Sequence, residues 1–316
     1  QKLPTNAFWN CVNLKTVTFL GELPSLPESA FAYCIRLQNV TLPKNLRSLP
    51  TNAFWECTSL SNIILPETVC SFGDNVFYKC TSLSKITIPD AVTSIESCAF
   101  YGCTNLEEVN LPKKLKTIAG FAFWECTSLS KITIPDAVTS IESCAFQGCT
   151  NLEEVNLPKN LKTIAGHAFR DCKSLRKITI PDGVTTIEPV AFYGCQSLQT
   201  IELPNSVRTI GEWAFGDTAL QQIVIPEGVT QMDKYAFAYC KNLKEVYLPA
   251  TLQSIPESIW GPNFVSPLTT LWYGGSSAAW KNLSGNSWLS YGKTEDDITI
   301  HFDAKPSALA LTALFS

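Results

Sequence analysis

Thirteen cysteines and two histidines have the widest chemical reach in this chain of 316 residues. A cysteine can serve as nucleophile, metal ligand or half of a disulfide, and each use needs its own arrangement in space. Ten cysteines form one series: Cys11, Cys34, Cys57, Cys80, Cys103, Cys126, Cys149, Cys172, Cys195 and Cys240. From Cys11 to Cys195 every step is 23 residues. Equal steps stack like residues in a row, one coil of chain above the next. Such stacking holds neighbouring Cβ atoms about 5 Å apart or more, whereas a disulfide wants about 3.8 Å. A straight row makes no tetrahedron, which argues against a metal. The expectation is a ladder of small, mildly apolar thiols. Cys70, Cys98 and Cys144 stand outside the row. Cys98 and Cys144 each have an in-coil neighbour within conceivable reach, Cys103 and Cys149, but the unbonded thiol is the preferred reading. His167 and His301 sit in unrelated columns, with His167 expected to be exposed. No Cys/His or Ser/His/Asp arrangement recurs, and there is no glycine-rich phosphate loop. The chain is therefore expected to be no enzyme, with no cofactor and no metal.

The elements that carry these residues follow from a second series. Phenylalanines recur at Phe8, Phe31, Phe54, Phe77, Phe100, Phe123, Phe146, Phe169, Phe192 and Phe215, again in steps of 23, followed by Phe237 and Trp260. The preceding residue is Ala except at Val76 and Ile259. One unit reads Ala-Phe-x-x-Cys-x-x-Leu-x-x-Val-x-Leu-Pro-x-x-Leu-x-x-Ile, carried from Ala99 by Cys103, Leu106, Val109, Leu111, Pro112, Leu115 and Ile118. A repeat of this length with Leu-x-x-Leu-x-Leu spacing is the leucine-rich-repeat signature. Superimposed on it, Cys80–Phe100 is identical to Cys126–Phe146, so neighbouring units alternate in type. The alternation ending Leu-x-x-Ile-x-Leu suits a short strand with one buried face, and Pro stops it. A lone unit cannot close its own core and must stack on neighbours. The expected fold is a leucine-rich-repeat solenoid, a horseshoe or right-handed β-rich superhelix. Its parallel β-sheet lies on the concave face, and irregular and 3₁₀ turns form the return side. Twelve strands at roughly 4.8 Å would make a sheet about 55 Å long.

The pattern Leu-x-x-Ile-x-Leu-Pro-x-x-Val-x-x-Ile-x-x-x-Ala-Phe-x-x-Cys resembles the BspA-like leucine-rich repeats of bacterial surface proteins and some parasitic protozoa, over about residues 1–260. Leu271–Ser276, Trp280 and Ile298–Phe302 are similar to the terminal segment that closes many such arrays. The resemblance implies a cell-surface or secreted, adhesion-type role and supplies no catalytic residues.

Three regions are expected: 1–262, the array; 263–303, a capping segment with final strands; and 304–316, a tail or linker. In the cap, Trp280, Leu283, Trp288 and Leu289 would cover the core, and Ile298, Ile300 and Phe302 would share one face. The chain opens in mid-unit, Leu3–Trp9 repeating Leu49–Trp55, and reads as a piece of a longer protein without a visible leader. Hydrophobic residues make up 45% and charged residues 16%, enough apolar content for a large interior. Net charge is −4 and no long run of Lys and Arg occurs, so nucleic acid and anionic membranes are poor partners. No stretch is long enough to span a bilayer. Asn39-Val-Thr and Asn282-Leu-Ser match a glycan acceptor pattern that arises readily by chance.

Three surface rows are candidates for binding. The first outward strand column alternates in sign through Lys85, Glu108, Lys131, Glu154 and Lys177, and is read as a self-neutralising ladder. The next column is small and polar until Val224, Tyr247 and Trp272. With Glu245 and His301 beside them, these form either a contact patch or a seal on the cap. A third stripe follows the Phe column: Trp9, then Trp55, Tyr78, Tyr101 and Trp124 on consecutive coils, then Tyr193. It is either side-wall packing or a sugar-binding row. The favoured function is a non-catalytic extracellular or surface scaffold, favoured as a monomer, that recognises a host or matrix protein. The alternatives are a carbohydrate-binding module using the aromatic stripe and a structural spacer.

Overall fold

The computed structural model describes residues 3–256, 258–283 and 294–305. The chain divides into two compact units, Gln1–Leu161 and Lys162–Ser316. Both are parallel β-solenoids made of the same 23-residue coil, and each coil has three sides.

The first side is a three-residue strand. In Lys85–Thr87 the outer residues are exposed and Ile86 is buried, and Glu108–Asn110 and Lys177–Thr179 repeat the pattern. The strands pair in parallel with like residues opposite: Lys85 with Glu108, Lys131 with Glu154, Gln222 with Glu245. The proline that follows most of these strands begins a turn. Its carbonyl accepts the N–H three residues on, as in Val92 to Pro89 and Leu115 to Pro112, both 3.0 Å. The expected row of twelve strands is interrupted, because 62–64 and 200–202 form no strand. Nothing in the local contacts explains either break.

The second side is a further parallel ladder of two-residue strands, which the sequence reading did not anticipate. Ser94–Ile95, Thr117–Ile118 and Ser140–Ile141 pair in register in the first unit. Thr163–Ile164, Thr186–Ile187, Thr209–Ile210 and Gln231–Met232 do so in the second.

The third side is the return. Consecutive turns there close i to i+3: Tyr78 N–H to Asn75 O, Cys80 N–H to Phe77 O, and Leu83 N–H to Cys80 O, at 3.0–3.1 Å. Residues two before and two after each Phe take the left-handed conformation, as at Asn75 (φ 55°) and Lys79 (φ 51°) or Cys98 (φ 54°) and Gly102 (φ 66°). Glycine tolerates this freely, whereas Val190 (φ 63°) does not. The coils are also bonded to one another here: Phe77 N–H donates to Ala99 O, and Phe100 N–H to Ala122 O, both at 2.8 Å.

Between the three sides runs the phenylalanine column, at most 1% exposed from Phe31 to Phe237. Its rings lie nearly parallel, with centroids 5.2–5.5 Å apart from Phe8 to Phe146 and 5.5–5.8 Å apart from Phe169 to Phe237. Trp260 ends the column, fully buried and tilted by 38°. The next strand, Thr270–Tyr273, pairs two residues late, Glu245 meeting Thr270, and Thr299–His301 pairs beyond it. The short helix Ser277–Leu283 buries Trp280 against Tyr273, centroids 5.1 Å apart, and the indole N–H donates to Glu295 at 3.2 Å. Trp288, Leu289 and most of the tail lie outside the described residues. No described helix is long and apolar enough to cross a membrane.

Candidate functional site

The fold brings the five residues singled out near the end of the strand ladder onto adjoining strands. Val224 stands opposite Tyr247, Tyr247 opposite Trp272, and Trp272 opposite His301, with Glu245 beside them opposite Gln222 and Thr270. Trp272 and His301 stack face to face, ring centroids 3.9 Å apart and 12° from parallel. His301 is exposed, while Val224, Glu245 and Trp272 are half-buried. The Trp272 indole N–H is covered and meets no acceptor among the described residues.

Tyr247 corrects the picture of an exposed row. It is 4% exposed, and its hydroxyl donates to a Glu227 carboxylate oxygen, with the Ala304 carbonyl at 3.5 Å. Burial first, then the Glu227 hydrogen bond and charge, push its phenol pKa up. A Cβ on Gly274 would lie 2.6 Å from the Tyr247 oxygen, so the close approach of that backbone requires glycine. Tyr247 therefore supports the row from beneath, and Glu227, Gly274 and Ala304 complete the support.

The aromatic stripe is real as a row and different in kind. Trp55, Tyr78, Tyr101 and Trp124 are each half-buried. Trp55 and Tyr78 stack at 4.0 Å and 14°, Tyr78 and Tyr101 at 4.7 Å and 14°, and Tyr101 and Trp124 at 5.4 Å and 34°. Phe121 stacks on Trp124 at 5.0 Å. These faces are spent on one another, leaving edges outward. Lys79 lies 5.4 Å from the Tyr78 ring centre, and burial raises the Tyr101 phenol. Stacking of this sort is worth about 0.5–1.5 kcal/mol per pair beyond area burial. Trp9 is 52% exposed and meets Tyr33 edge-on at 6.0 Å.

With this geometry in hand, relatives can be weighed. Residues 1–91, 71–189 and 162–264 match the family described as BspA type leucine rich repeat region. The chain belongs to that family. A leucine-rich repeat protein from Bacteroides ovatus is similar over 92% of this chain and 72% of its own, at 28% identity and TM-score 0.68. A leucine-rich cell surface protein from Faecalibacterium prausnitzii is similar over 87% of this chain and 83% of its own, at 28% identity and TM-score 0.55. The pneumococcal vaccine antigen PcpA shares the fold, at 18% identity over 94% of this chain and 91% of its own, TM-score 0.61. No curated protein sequence matches the chain.

In this BspA-type array the cysteine row has a bonding role that spacing alone did not show. The Cys103 thiol donates to the Phe77 carbonyl of the preceding coil at 3.1 Å, and Cys57, Cys80, Cys126 and Cys149 do likewise to Phe31, Phe54, Phe100 and Phe123 at 3.1–3.2 Å. Each such carbonyl also accepts the N–H of the cysteine in its own coil, as Phe77 accepts Cys80 at 3.1 Å. Thr218 replaces the thiol in one coil and turns its hydroxyl to its own Phe215 carbonyl at 2.8 Å. Burial pushes the Cys103 and Cys149 thiols up to about 12. Burial and the carbonyl bond hold these thiols in the protonated, weakly nucleophilic form. Among the described residues no group of three or more His, Cys, Asp and Glu is placed to hold a metal.

The remaining candidates divide. Lys85 and Glu108 close to 2.7 Å, and that bond, with one from Asn110, lowers the Glu108 pKa. His167 is half-buried where exposure was expected, and burial, then the Arg170 charge, lowers its pKa.

Proposed function

We propose that this chain is a non-catalytic scaffold of the bacterial cell surface or its surroundings, adhesin-like in use, that docks a protein partner on the last strands of the second unit. The observation that carries the reading is the stacked Trp272–His301 pair at the end of a ladder column that is mostly small and polar before Val224. A half-buried indole flanked by Val224, Glu245 and exposed His301 offers a partner one apolar anchor with polar groups beside it. Rigid strands with paired backbones hold these groups at little entropic cost on binding. The 28% identical Faecalibacterium protein carries the description of a cell surface protein, which supports the location.

The test is binding of the chain to immobilised matrix proteins by surface plasmon resonance, with Trp272→Ala and His301→Ala alongside Trp124→Phe. Loss of about 2 kcal/mol or more for Trp272→Ala, with Trp124→Phe unchanged, supports the site. Binding that survives both substitutions in the pair places the contact elsewhere on the surface.

A further inference from the structure

Four residues of the second unit, Arg170, Val190, Tyr193 and Trp213, line a surface pocket of about 210 Å³. Its origin is local. The position after the Phe column carries Arg170, Tyr193 and then Gly216 on successive coils. A Cβ on Gly216 would lie 2.8 Å from the Tyr193 ring and 3.3 Å from Trp213. With no side chain there, Trp213 folds in edge-on to Tyr193, centroids 5.9 Å apart at 73°. Tyr235 and Tyr239 approach Trp213 at 4.9 and 5.8 Å but are tilted by 42° and 35°. None of the three rings lies flat on the indole, whereas Trp55–Tyr78 and Tyr78–Tyr101 in the first unit stack at 14°.

Arg170 is the charged residue among the four that line this corner. The Arg170 guanidinium lies 5.6 Å from the Tyr193 ring centre, and its Nε donates to Asp171 at 3.2 Å. A guanidinium has five N–H donors in a fixed fork, so this bond leaves the outer nitrogens for a ligand. The balance of charge selects the ligand. Arg170 is already paired with Asp171, so the lining carries no unbalanced charge to hold an ion. What remains is a neutral molecule with several hydroxyls and a flat C–H face. The space is below the ~300–1,000 Å³ typical of sites for drug-sized molecules, which suits a single ring.

We propose that this pocket binds one neutral pyranose ring, the exposed sugar of a glycan, with Trp213 against the ring face and Arg170 reading its hydroxyls. The site is separate from the Trp272–His301 surface, and neither proposal depends on the other.

Saturation-transfer NMR of the intact chain with the methyl glycosides of glucose, galactose, mannose, N-acetylglucosamine and fucose tests it. At least one glycoside is expected to receive saturation at millimolar concentration. Arg170→Gln, a half-exposed change that leaves the core alone, is expected to weaken that glycoside about tenfold or more. Gly216→Ala, which pushes a methyl into the Tyr193–Trp213 corner, should abolish the transfer while leaving the circular dichroism spectrum unchanged. Trp272→Ala should not alter it. The proposal is overturned if none of the five receives saturation, or if the transfer is the same in Arg170→Gln and Gly216→Ala.

Discussion

Replacing Cys103 by alanine and, separately, by serine isolates the thiol-to-carbonyl bond from ordinary packing. In the native chain the fully buried Cys103 sulfur donates to the Phe77 carbonyl at 3.1 Å. That carbonyl keeps a second donor, the Cys80 N–H at 3.1 Å, so alanine leaves no orphaned acceptor. Alanine loses the hydrogen bond, about 0.5–1.5 kcal/mol, and the buried sulfur, about the worth of one methylene at ~0.8 kcal/mol. The expected cost is about 1–2 kcal/mol. Serine keeps a donor and loses a little volume, and should fall within about 1 kcal/mol of the parent. Thr218, whose hydroxyl reaches the Phe215 carbonyl at 2.8 Å, shows that a hydroxyl is satisfied in this column. A stacked array need not unfold in one step, so the readout is hydrogen exchange of the Phe77 to Leu106 amides, not a single melting point. Alanine as protected as the parent, with serine less protected than alanine, would refute the reasoning and leave the row as apolar packing alone.

Exposed Cys11 and Cys70 should react with Ellman's reagent at pH 8 at once, whereas Cys57, Cys80, Cys103, Cys126 and Cys149 should react only on unfolding. A rapid burst larger than the exposed thiols, counted by mass spectrometry, would contradict the burial. Gly274→Ala drives a methyl toward the Tyr247 oxygen and the Ala250 N–H, and should cost about 1–3 kcal/mol. It should also lower the Tyr247 phenol toward the ordinary range in a spectrophotometric titration. Lys85→Met removes the main cause of the lowered Glu108 pKa, so an NMR titration should find that carboxyl shifted up. Because the folded value is depressed, the pair's contribution is present above the unfolded pKa and fades as pH falls through the folded one.

The Phe and Cys periods made the coil legible, because a buried column admits few residue types and repeats them faithfully. The second ladder was not legible. Ser94–Ile95 and Thr117–Ile118 are two residues long, too short for an alternation to register. The left-handed positions were equally obscure, because Cys98, Phe121, His167 and Trp213 occupy them along with Asn and Gly. At the site, Val224, Tyr247 and Trp272 were read from column position with Glu245 and His301 as flanking residues, and parallel register put them side by side. The depth of Tyr247 was beyond reach, since it depends on Glu227, 20 residues away, and on Ala304, 57 away. The Arg170–Trp213 pocket hinges on a missing side chain at Gly216, and absence leaves no periodic mark.

The identity of Cys80–Phe100 with Cys126–Phe146 gains a genetic meaning from the rows in which these residues stand. A crossover between the two copies would excise residues 80–125, seat Cys126 on Lys79 and present Phe146 where Phe100 had been. Every ladder would rejoin without a slip, but Gln147 would take the place of Tyr101 and cut the aromatic stripe after Tyr78. Such a gene can shed or gain whole paired coils between generations at almost no folding penalty. Selection would then see mainly the outward-facing residues that came or went with them.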